Sequence, residues 1–138
     1  MKYGMTGSRK GMSHEQYQKF FTLLERYPKL CHLIHGDCHG ADTEAHMLAA
    51  EKGHEITIRP CDFPGARARS WAATIHEEKR PLVRNHDIVD ESEMMFAFPD
   101  GWVEQWRGSG TWATIRYAKK VKKMLWIIYP DGSVASHV

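Results

Sequence analysis

The sequence predicts an α/β fold, a three-layer α/β/α domain with a doubly wound, mainly parallel sheet of about five strands. Short apolar segments alternate along the chain with segments of helical periodicity, as in βαβ units. The apolar segment Met94–Phe98 is uninterrupted, which is typical of a central parallel strand covered on both faces. Because the 138 residues contain no linker or repeat, a single domain over residues 1–138 is expected.

The first segment of the chain predicts a strand, a turn and a helix. Lys2–Met5 is a short strand that runs into the turn Thr6–Ser8. Ser13, with Gln16 three residues later, has the pattern of a capping box, and Pro28 is expected to end the helix that follows. Apolar side chains at helical spacing predict the buried face of this helix, which consists of Tyr17, Phe20, Phe21 and Leu24.

The next segment predicts a strand, a helix and a further strand. Cys31–His35 is the second strand, and Ile56–Ile58 forms the third. Between them, Asp42 is the expected N-cap of a helix that continues to about Lys52, and Gly53 suits the position just after its end.

The second half of the chain continues the alternation of strands and helices. Residues 61–69 are expected to form a loop, and Ser70–Lys79 is expected to be helical. Pro81–Val89 begins with proline, which suits the first position of another helix. A helix over Thr111–Val121 follows a glycine-rich loop, and Met124–Tyr129 is expected to be the last buried strand.

Composition narrows the possible functions and locations. The net charge is +2, from 19 basic and 17 acidic residues spread over both halves, so bulk charge does not indicate nucleic-acid binding. The longest apolar run is too short to span a membrane, and the first residues lack the apolar core of a signal peptide. Cys31, Cys38 and Cys61 form no CxxC pair, which favours free thiols and a cytoplasmic location.

Three strand-to-helix loops have a composition suited to anion binding. They are Thr6–Lys10, Gly36–Asp42 and Gly108–Thr111. Each has glycine where the backbone must turn sharply, and each precedes a helix N-terminus that favours an anion. Hydroxyl groups and the charges of Arg9 and Lys10 can add contacts to phosphate. Since parallel strands end at the same sheet edge, we expect one shared site, although any single loop can instead be an ordinary turn.

Two common nucleotide-binding fingerprints do not fit this sequence. The GxxxxGK[ST] motif of P-loop proteins is absent. Residues 108–113 match GxGxx[GA], but they follow the fourth predicted strand instead of the first, and no acidic residue ends the next strand. A dinucleotide-binding site of that kind is therefore not expected.

Four motifs in order resemble the SLOG superfamily. They are the turn "TGSR", the element "GDCHGAD", the "RN" pair in "PLVRNHDIV" and the "GSGT" loop after an apolar strand. This superfamily includes the cytokinin-activating LOG phosphoribohydrolases, the DNA-processing protein DprA and small YspA/YpsA-like proteins. The resemblance covers about residues 3–129 and implies a Rossmann-like sheet with a pocket for a nucleotide or nucleotide-derived ligand.

The resemblance also implies which residues line that pocket, with the GSGT loop on the phosphate. These residues are Gly7, Ser8, Gly36, Gly40, Asp42, Arg84, Asn85, Gly108, Ser109, Gly110 and Thr111. The composition of the first loop adds Thr6 and Arg9 as ligand contacts. LOG enzymes have a catalytic glutamate two or three residues after the phosphate loop, whereas Trp112–Thr114 follow it here. This departure favours binding or sensing, or catalysis by a different acid.

Cleavage of a nucleotide N-glycosidic bond requires a carboxylate near the anomeric carbon and an acid for the departing base. Asp42 and Asp37 are the catalytic candidates, although Asp42 can instead cap a helix and Asp37 can close a turn. Trp102 and Trp106 precede the GSGT loop. They can stack on a base as a lid, pack against a second subunit or pack within the chain.

The sequence therefore predicts a nucleotide-binding protein without a cofactor or a metal site. A LOG-like phosphoribohydrolase is the first alternative, and a DprA-like nucleic-acid-associated module is the second. The second depends on the basic run Lys119–Lys123, which is more simply interpreted as a solvated helix end. The resemblance and the two tryptophans favour a homodimer or a larger assembly.

Overall fold

The computed structural model describes residues 1–27 and 31–137. The strands are β1 (Lys2–Gly7), β2 (His32–His35), β3 (Glu55–Ile58), β4 (Thr74–Ile75), β5 (Met94–Phe98), β6 (Met124–Ile128) and β7 (Val134–His137). The helices are α1 (His14–Leu24), α2 (Ala41–Glu51), α3 (Pro81–Glu91) and α4 (Gly110–Lys120). The strands form one sheet in the order β4-β3-β2-β1-β5-β6-β7, and all pairs are parallel except β6 with β7.

Helices cover both faces of this sheet. On one face, α1 and α2 pack through a core that includes Phe20 and Leu48. On the other face, α3 and α4 pack through Ile88 and Ile115. Every residue of β5 is buried between the two layers. The predicted doubly wound α/β/α fold is therefore confirmed, and the described sheet exceeds the expected size by the edge strands β4 and β7.

The start of α1 forms the predicted capping box and also fixes the helix to the sheet. The N–H of Gln16 donates to Ser13 Oγ at 3.0 Å, and the N–H of Ser13 donates to Gln16 Oε1 at 2.8 Å. The buried Gln16 amide also donates to the carbonyl oxygens of Pro99 and Ile128, at 2.7 and 2.8 Å. These bonds hold α1 against the ends of β5 and β6.

One residue of the predicted buried face of α1 lies at the surface. Phe21 is 37% exposed, and the Lys52 ammonium lies 4.5 Å from its ring centre. Leu23 is buried instead, because the buried face of the helix is centred closer to Phe20 and Leu24. α1 ends at Leu24, ahead of Pro28, and Pro28 itself lies outside the described residues.

The segment Ser70–Lys79 is not helical, contrary to the sequence prediction. It is extended and contains β4, which pairs with β3 at the sheet edge. The carboxylate of Asp37 accepts the Ser70 N–H at 2.9 Å and holds the start of the segment. Such tertiary hydrogen bonds override the helix propensity of the local sequence.

The chain also continues past the strand that was expected to be the last. A tight turn after β6 contains Gly132 at φ +84°, and the N–H of Tyr129 donates to the Ser133 carbonyl at 2.9 Å. β7 then returns antiparallel to β6. Among the residues that the structure describes, no helix has the length and apolar character needed to cross a bilayer.

Candidate functional site

The strand order creates a cavity at the carboxyl edge of the sheet. β1 lies between β2 and β5, and the helices that follow β1 and β5 pack on opposite faces. The loops after these two strands therefore diverge, and ligands bind at such a switch point in open α/β sheets. A cavity of about 450 Å³ opens there, within the range of small-molecule sites.

Most of the sequence-predicted binding residues line this cavity. They are Thr6, Gly7, Ser8, Arg9, Gly36, Asp42, Arg84, Asn85, Gly108, Ser109, Gly110 and Thr111. The fold thus brings together residues from all three predicted loops and from α3.

Other lining residues were not predicted as ligand contacts, or were noted only for their charge. They are Met5, Lys10, Cys38, Pro81, Ile88, Asp100 and Gln105. Lys10 was noted for its charge, and its ammonium lies 3.5 Å from Asp100 on the loop after β5. Asp100 and Gln105 both precede the GSGT loop, so proximity to that motif is the sequence signal that could have identified them.

Arg84 places a buried cation in the cavity wall. Its side chain is 5% exposed, and Nη1 donates to the carbonyl oxygens of Gly36 and Arg59 at 2.7 and 3.2 Å. Nε donates to Asn85 Oδ1 at 2.7 Å. None of the ion pairs in the described part of the chain includes Arg84. The guanidinium therefore donates to neutral groups and forms no ion pair, although the buried Asp42 carboxyl interacts with its charge.

Glycine at position 36 is what allows the Arg84 guanidinium to lie there. A Cβ atom at Gly36 would collide with Nη1 and would lie 2.6 Å from Cζ. Glycine in the second loop therefore makes room for the cation, which is a packing requirement that sequence inspection alone did not reveal.

The N-terminus of α4 faces the same cavity. Gly108, at φ +76°, turns the chain, and Ser109 Oγ accepts the N–H of Trp112 at 3.1 Å as the N-cap. The first N–H groups of a helix, here those of Gly110 and Thr111, have no intrahelical acceptor and point out of its end. Such a terminus attracts an anion through these N–H groups and through the helix dipole.

Gly7 and Gly40 allow the first and second loops to pack closely against each other. The N–H of Ala41 donates to the Ser8 carbonyl at 3.1 Å. A Cβ at Gly7 would lie 2.5 Å from the Ala41 Cβ, and one at Gly40 would strike the backbone of Arg9. Gly40, unlike Gly7, is not among the cavity-lining residues, so its geometry gives it a structural contact instead of the predicted ligand contact.

Asp42 lines the cavity as a buried carboxyl group. Gly40, and not Asp42, is the N-cap of α2, so the helix starts two residues before the expected position. Asp42 Oδ2 instead accepts the N–H of Cys38 at 3.0 Å. Burial raises the pKa of Asp42 to about 6, although the Cys38 N–H and the Arg84 charge act to lower it. Near neutral pH the carboxyl group can therefore accept or release a proton.

Asp37 lies outside the cavity lining, and both of its carboxylate oxygens accept structural hydrogen bonds. Its carboxylate accepts from Arg67 Nε at 3.1 Å and from the N–H of Ser70 at 2.9 Å. Its own N–H donates to Nδ1 of the buried His35 at 2.9 Å. Burial and the neighbouring His46 lower the pKa of His35 to about 3, so His35 stays neutral and keeps this acceptor. Nothing in this position supports the predicted catalytic role of Asp37.

The two loop tryptophans do not reach the cavity. Trp102 and Trp106 are 57% and 74% exposed, and neither is among the lining residues. The Arg116 guanidinium lies 4.8 Å from the Trp106 ring centre. Neither ring therefore lines the cavity in this structure, and the base-stacking role of both tryptophans stays a prediction.

The basic run Lys119–Lys123 lies at the other end of the parallel strands from the cavity. It spans the C-terminal end of α4 and the residues before β6, whereas the cavity is at the N-terminal end of α4. Lys123 Nζ donates to the Ser92 carbonyl at 2.6 Å. Among the described residues, no group of three or more His, Cys, Asp or Glu side chains is arranged to hold a metal ion.

Comparisons with known proteins inform the fold. No protein-family model and no curated protein matches the chain. Among solved structures, the X-ray structure of TM1055, a structural genomics target, is similar with a TM-score of 0.62 and 14% sequence identity. The similarity covers 90% of this chain and 71% of that chain. At this identity the likeness supports the Rossmann-like α/β fold alone.

Proposed function

We propose that this protein binds a nucleotide or nucleotide-derived ligand in the cavity at the β1/β5 switch point. The observation that carries the proposal is the presence of two separate anion-binding features in one cavity. These are the buried Arg84 guanidinium, which forms no ion pair within the described residues, and the N-terminus of α4 at Gly110. Together they suit the phosphate of such a ligand.

The proposal includes membership of the SLOG superfamily. Its support is the order of the "TGSR", "GDCHGAD", "RN" and "GSGT" motifs together with the Rossmann-like fold. Residues from all four motifs lie in the lining of one cavity. A homodimer or larger assembly and a cytoplasmic location stay predictions from the sequence.

Calorimetric titration with AMP, GMP, CMP and UMP tests the proposal. We expect the wild-type protein to bind at least one of them and Arg84→Ala to weaken that binding by about 10- to 100-fold, since hydrogen bonds to charged groups contribute about 1.5–3 kcal/mol. Arg84→Lys keeps the charge but loses the planar fork, so an intermediate loss is expected. Arg80→Ala removes an exposed cation at the start of α3 and serves as the matched control.

Two results would contradict the proposal. One is a wild-type protein that binds none of the four nucleotides at millimolar concentration. The other is an Arg84→Ala protein that is folded by circular dichroism and binds as tightly as the wild type.

Hydrolysis of the nucleotide N-glycosidic bond is a second candidate, favoured by one observation. Asp42 lines the cavity, is buried and has a pKa raised to about 6 by that burial. Its carboxylate could stabilise positive charge on the ribose, and its acid form could protonate a departing base. Water would supply the hydroxyl group of the ribose 5-phosphate product.

Chromatographic measurement of free base after incubation with the four nucleoside monophosphates tests this second candidate. If base is released, Asp42→Asn should reduce the rate by at least about 100-fold, in the range typical of general acid–base catalysis. An unchanged rate in Asp42→Asn would remove Asp42 from the mechanism, and no release by the wild type would remove the activity.

A further inference from the structure

The stretch 101–107, between β5 and the GSGT loop, contributes one residue to the cavity wall, whereas Asp100 before it and Ser109 after it line the same cavity. Among residues 101–107, all within the described chain, Gln105 is the one that lines the cavity wall. The large apolar side chains of this segment, Trp102, Val103 and Trp106, are all exposed to solvent. The contribution of this segment to ligand recognition therefore depends on how Gln105 is held.

A single arginine on α4 holds three successive residues of the segment. Arg116 Nη1 donates to the Gln105 carbonyl oxygen at 2.9 Å and lies 3.2 Å from Glu104 Oε2. The same guanidinium lies 4.8 Å from the ring centre of Trp106. Arg116 is about two turns into α4, so these contacts fold the segment back along the helix.

These contacts of Arg116 hold Gln105 in position, but they contribute little to the free energy of folding. A partly exposed ion pair contributes about 0–1 kcal/mol, and the Arg116 side chain is 28% exposed. The planar guanidinium can, however, hold a carboxylate, a carbonyl and an aromatic face in one fixed geometry. Residues on both sides of Gln105 are thereby fixed before a ligand arrives, which lowers the entropy cost of using its side chain.

We propose that Gln105 is a specificity-determining residue and that Arg116 is the positioning residue that presents it to the ligand. The inference rests on the proposed function, in which Arg84 and the α4 N-terminus already serve the phosphate. A neutral primary amide offers two donors and one acceptor oxygen, which suits the ring nitrogens and exocyclic groups of a base. Gln105 thus acts on the base part of the ligand, and the cations act on the phosphate.

Comparison of two ligands separates these roles. The probes are the tightest-binding nucleoside monophosphate and ribose 5-phosphate, which has the same phosphate and sugar but no base. We expect Gln105→Ala to weaken binding of the nucleotide by about tenfold, because an unpaired polar group of the ligand costs about 1–3 kcal/mol. Binding of ribose 5-phosphate should change less than twofold.

Arg116 variants test the positioning role. Arg116→Ala should reproduce the selective loss seen with Gln105→Ala, and Arg116→Lys should recover part of it, because lysine can still pair with Glu104. Arg107→Ala and Gln18→Ala remove exposed side chains of the same types that do not line the cavity. Both control variants should bind the two probes as the wild type does.

The outcomes distinguish the inference from the function on which it rests. Equal loss of both ligands in Gln105→Ala, or loss of neither, would overturn the inference while the proposed function stands. A selective loss in Gln105→Ala without one in Arg116→Ala would overturn the positioning role. A wild-type protein that binds neither probe would overturn the proposed function and this inference together.

Discussion

The burial of Arg84 lowers the stability of the fold but favours the binding of an anion. Its guanidinium is buried against two carbonyl oxygens and one amide oxygen and forms no ion pair within the described residues. A charge buried in this way costs free energy of folding unless it is paired. An anion that enters the cavity would supply the missing partner, so ligand binding should also stabilise the fold.

The raised pKa of Asp42 predicts how the stability of the protein depends on pH. Its folded pKa of about 6 lies above its usual value of 3.8, so ionisation in the folded state costs free energy. The cost is absent below pH 3.8, grows as the pH rises to about 6, and is complete above that pH. Asp42→Asn should therefore raise the free energy of unfolding by about 3 kcal/mol at pH 7.5 and by far less at pH 4.

Urea unfolding of both proteins at pH 4 and pH 7.5 measures this effect. Asp37→Asn serves as a comparison. Because the Asp37 carboxylate forms an ion pair with Arg67, this substitution should lower the free energy of unfolding. Equal stability of wild type and Asp42→Asn at pH 7.5 would contradict the raised pKa of Asp42.

The sequence predicted which types of residue line the cavity, but it did not predict which distant residues contact each other. Glycine, hydroxyl and basic residues at strand ends identified most of the cavity wall from the sequence. The structural use of Asp37 depends on Arg67 and Ser70, which are about 30 residues away and approach it only in the folded chain. The sequence offers no local signal for such a contact.

Two glycines beside α2 show how one element is tied to its neighbours. Gly40 begins the helix and Gly53 follows its end, and both have φ between +77° and +87°. A Cβ at Gly40 would strike the backbone of the first loop, whereas a Cβ at Gly53 would meet nothing within 4 Å. Both positions have positive φ, but Gly40 has ψ −123°, outside the left-handed helical region, so the two differ in backbone conformation as well as in packing.

Alanine substitutions at these glycines should have unequal effects. Gly53→Ala should lower the free energy of unfolding by about 1 kcal/mol, which is the cost of a left-handed alanine. Gly40→Ala should lower it by about 2–4 kcal/mol, because it adds a backbone collision to a conformation, φ +87° and ψ −123°, that alanine strongly disfavours. Thermal and urea unfolding would measure both, and equal losses would show that the contact between the loops does not constrain α2.

Elements with strong local signals could be predicted, and elements held by distant contacts could not. The capping box of α1, Pro81 at the start of α3 and the apolar strand β5 were all expected and are present. The segment Ser70–Lys79 was expected to be helical, but it joins the sheet edge, where pairing with β3 and the Asp37 carboxylate determine its path.

In the molecule as a whole, the strand order determines the position of the cavity more than any single sequence motif does. Alternating strands and helices predicted a parallel sheet, but the pairing of β1 with β5 could not be identified in the sequence. That pairing places the loops after β1 and β5 side by side with the loop after β2 on the flank. The cavity exists because the helices then leave toward opposite faces.

We expect a phosphate-bearing ligand to bind between Arg84 and the N-terminus of α4. The most direct test of this expectation is a titration of the ¹⁵N-labelled protein with nucleoside monophosphates, followed by NMR. We predict that the backbone amides of Gly110 and Thr111 and the Nε–H of Arg84 shift together and saturate with a single dissociation constant. Shifts confined to Lys119–Lys123 at the other end of the parallel strands, or no shifts at millimolar ligand, would contradict this expectation.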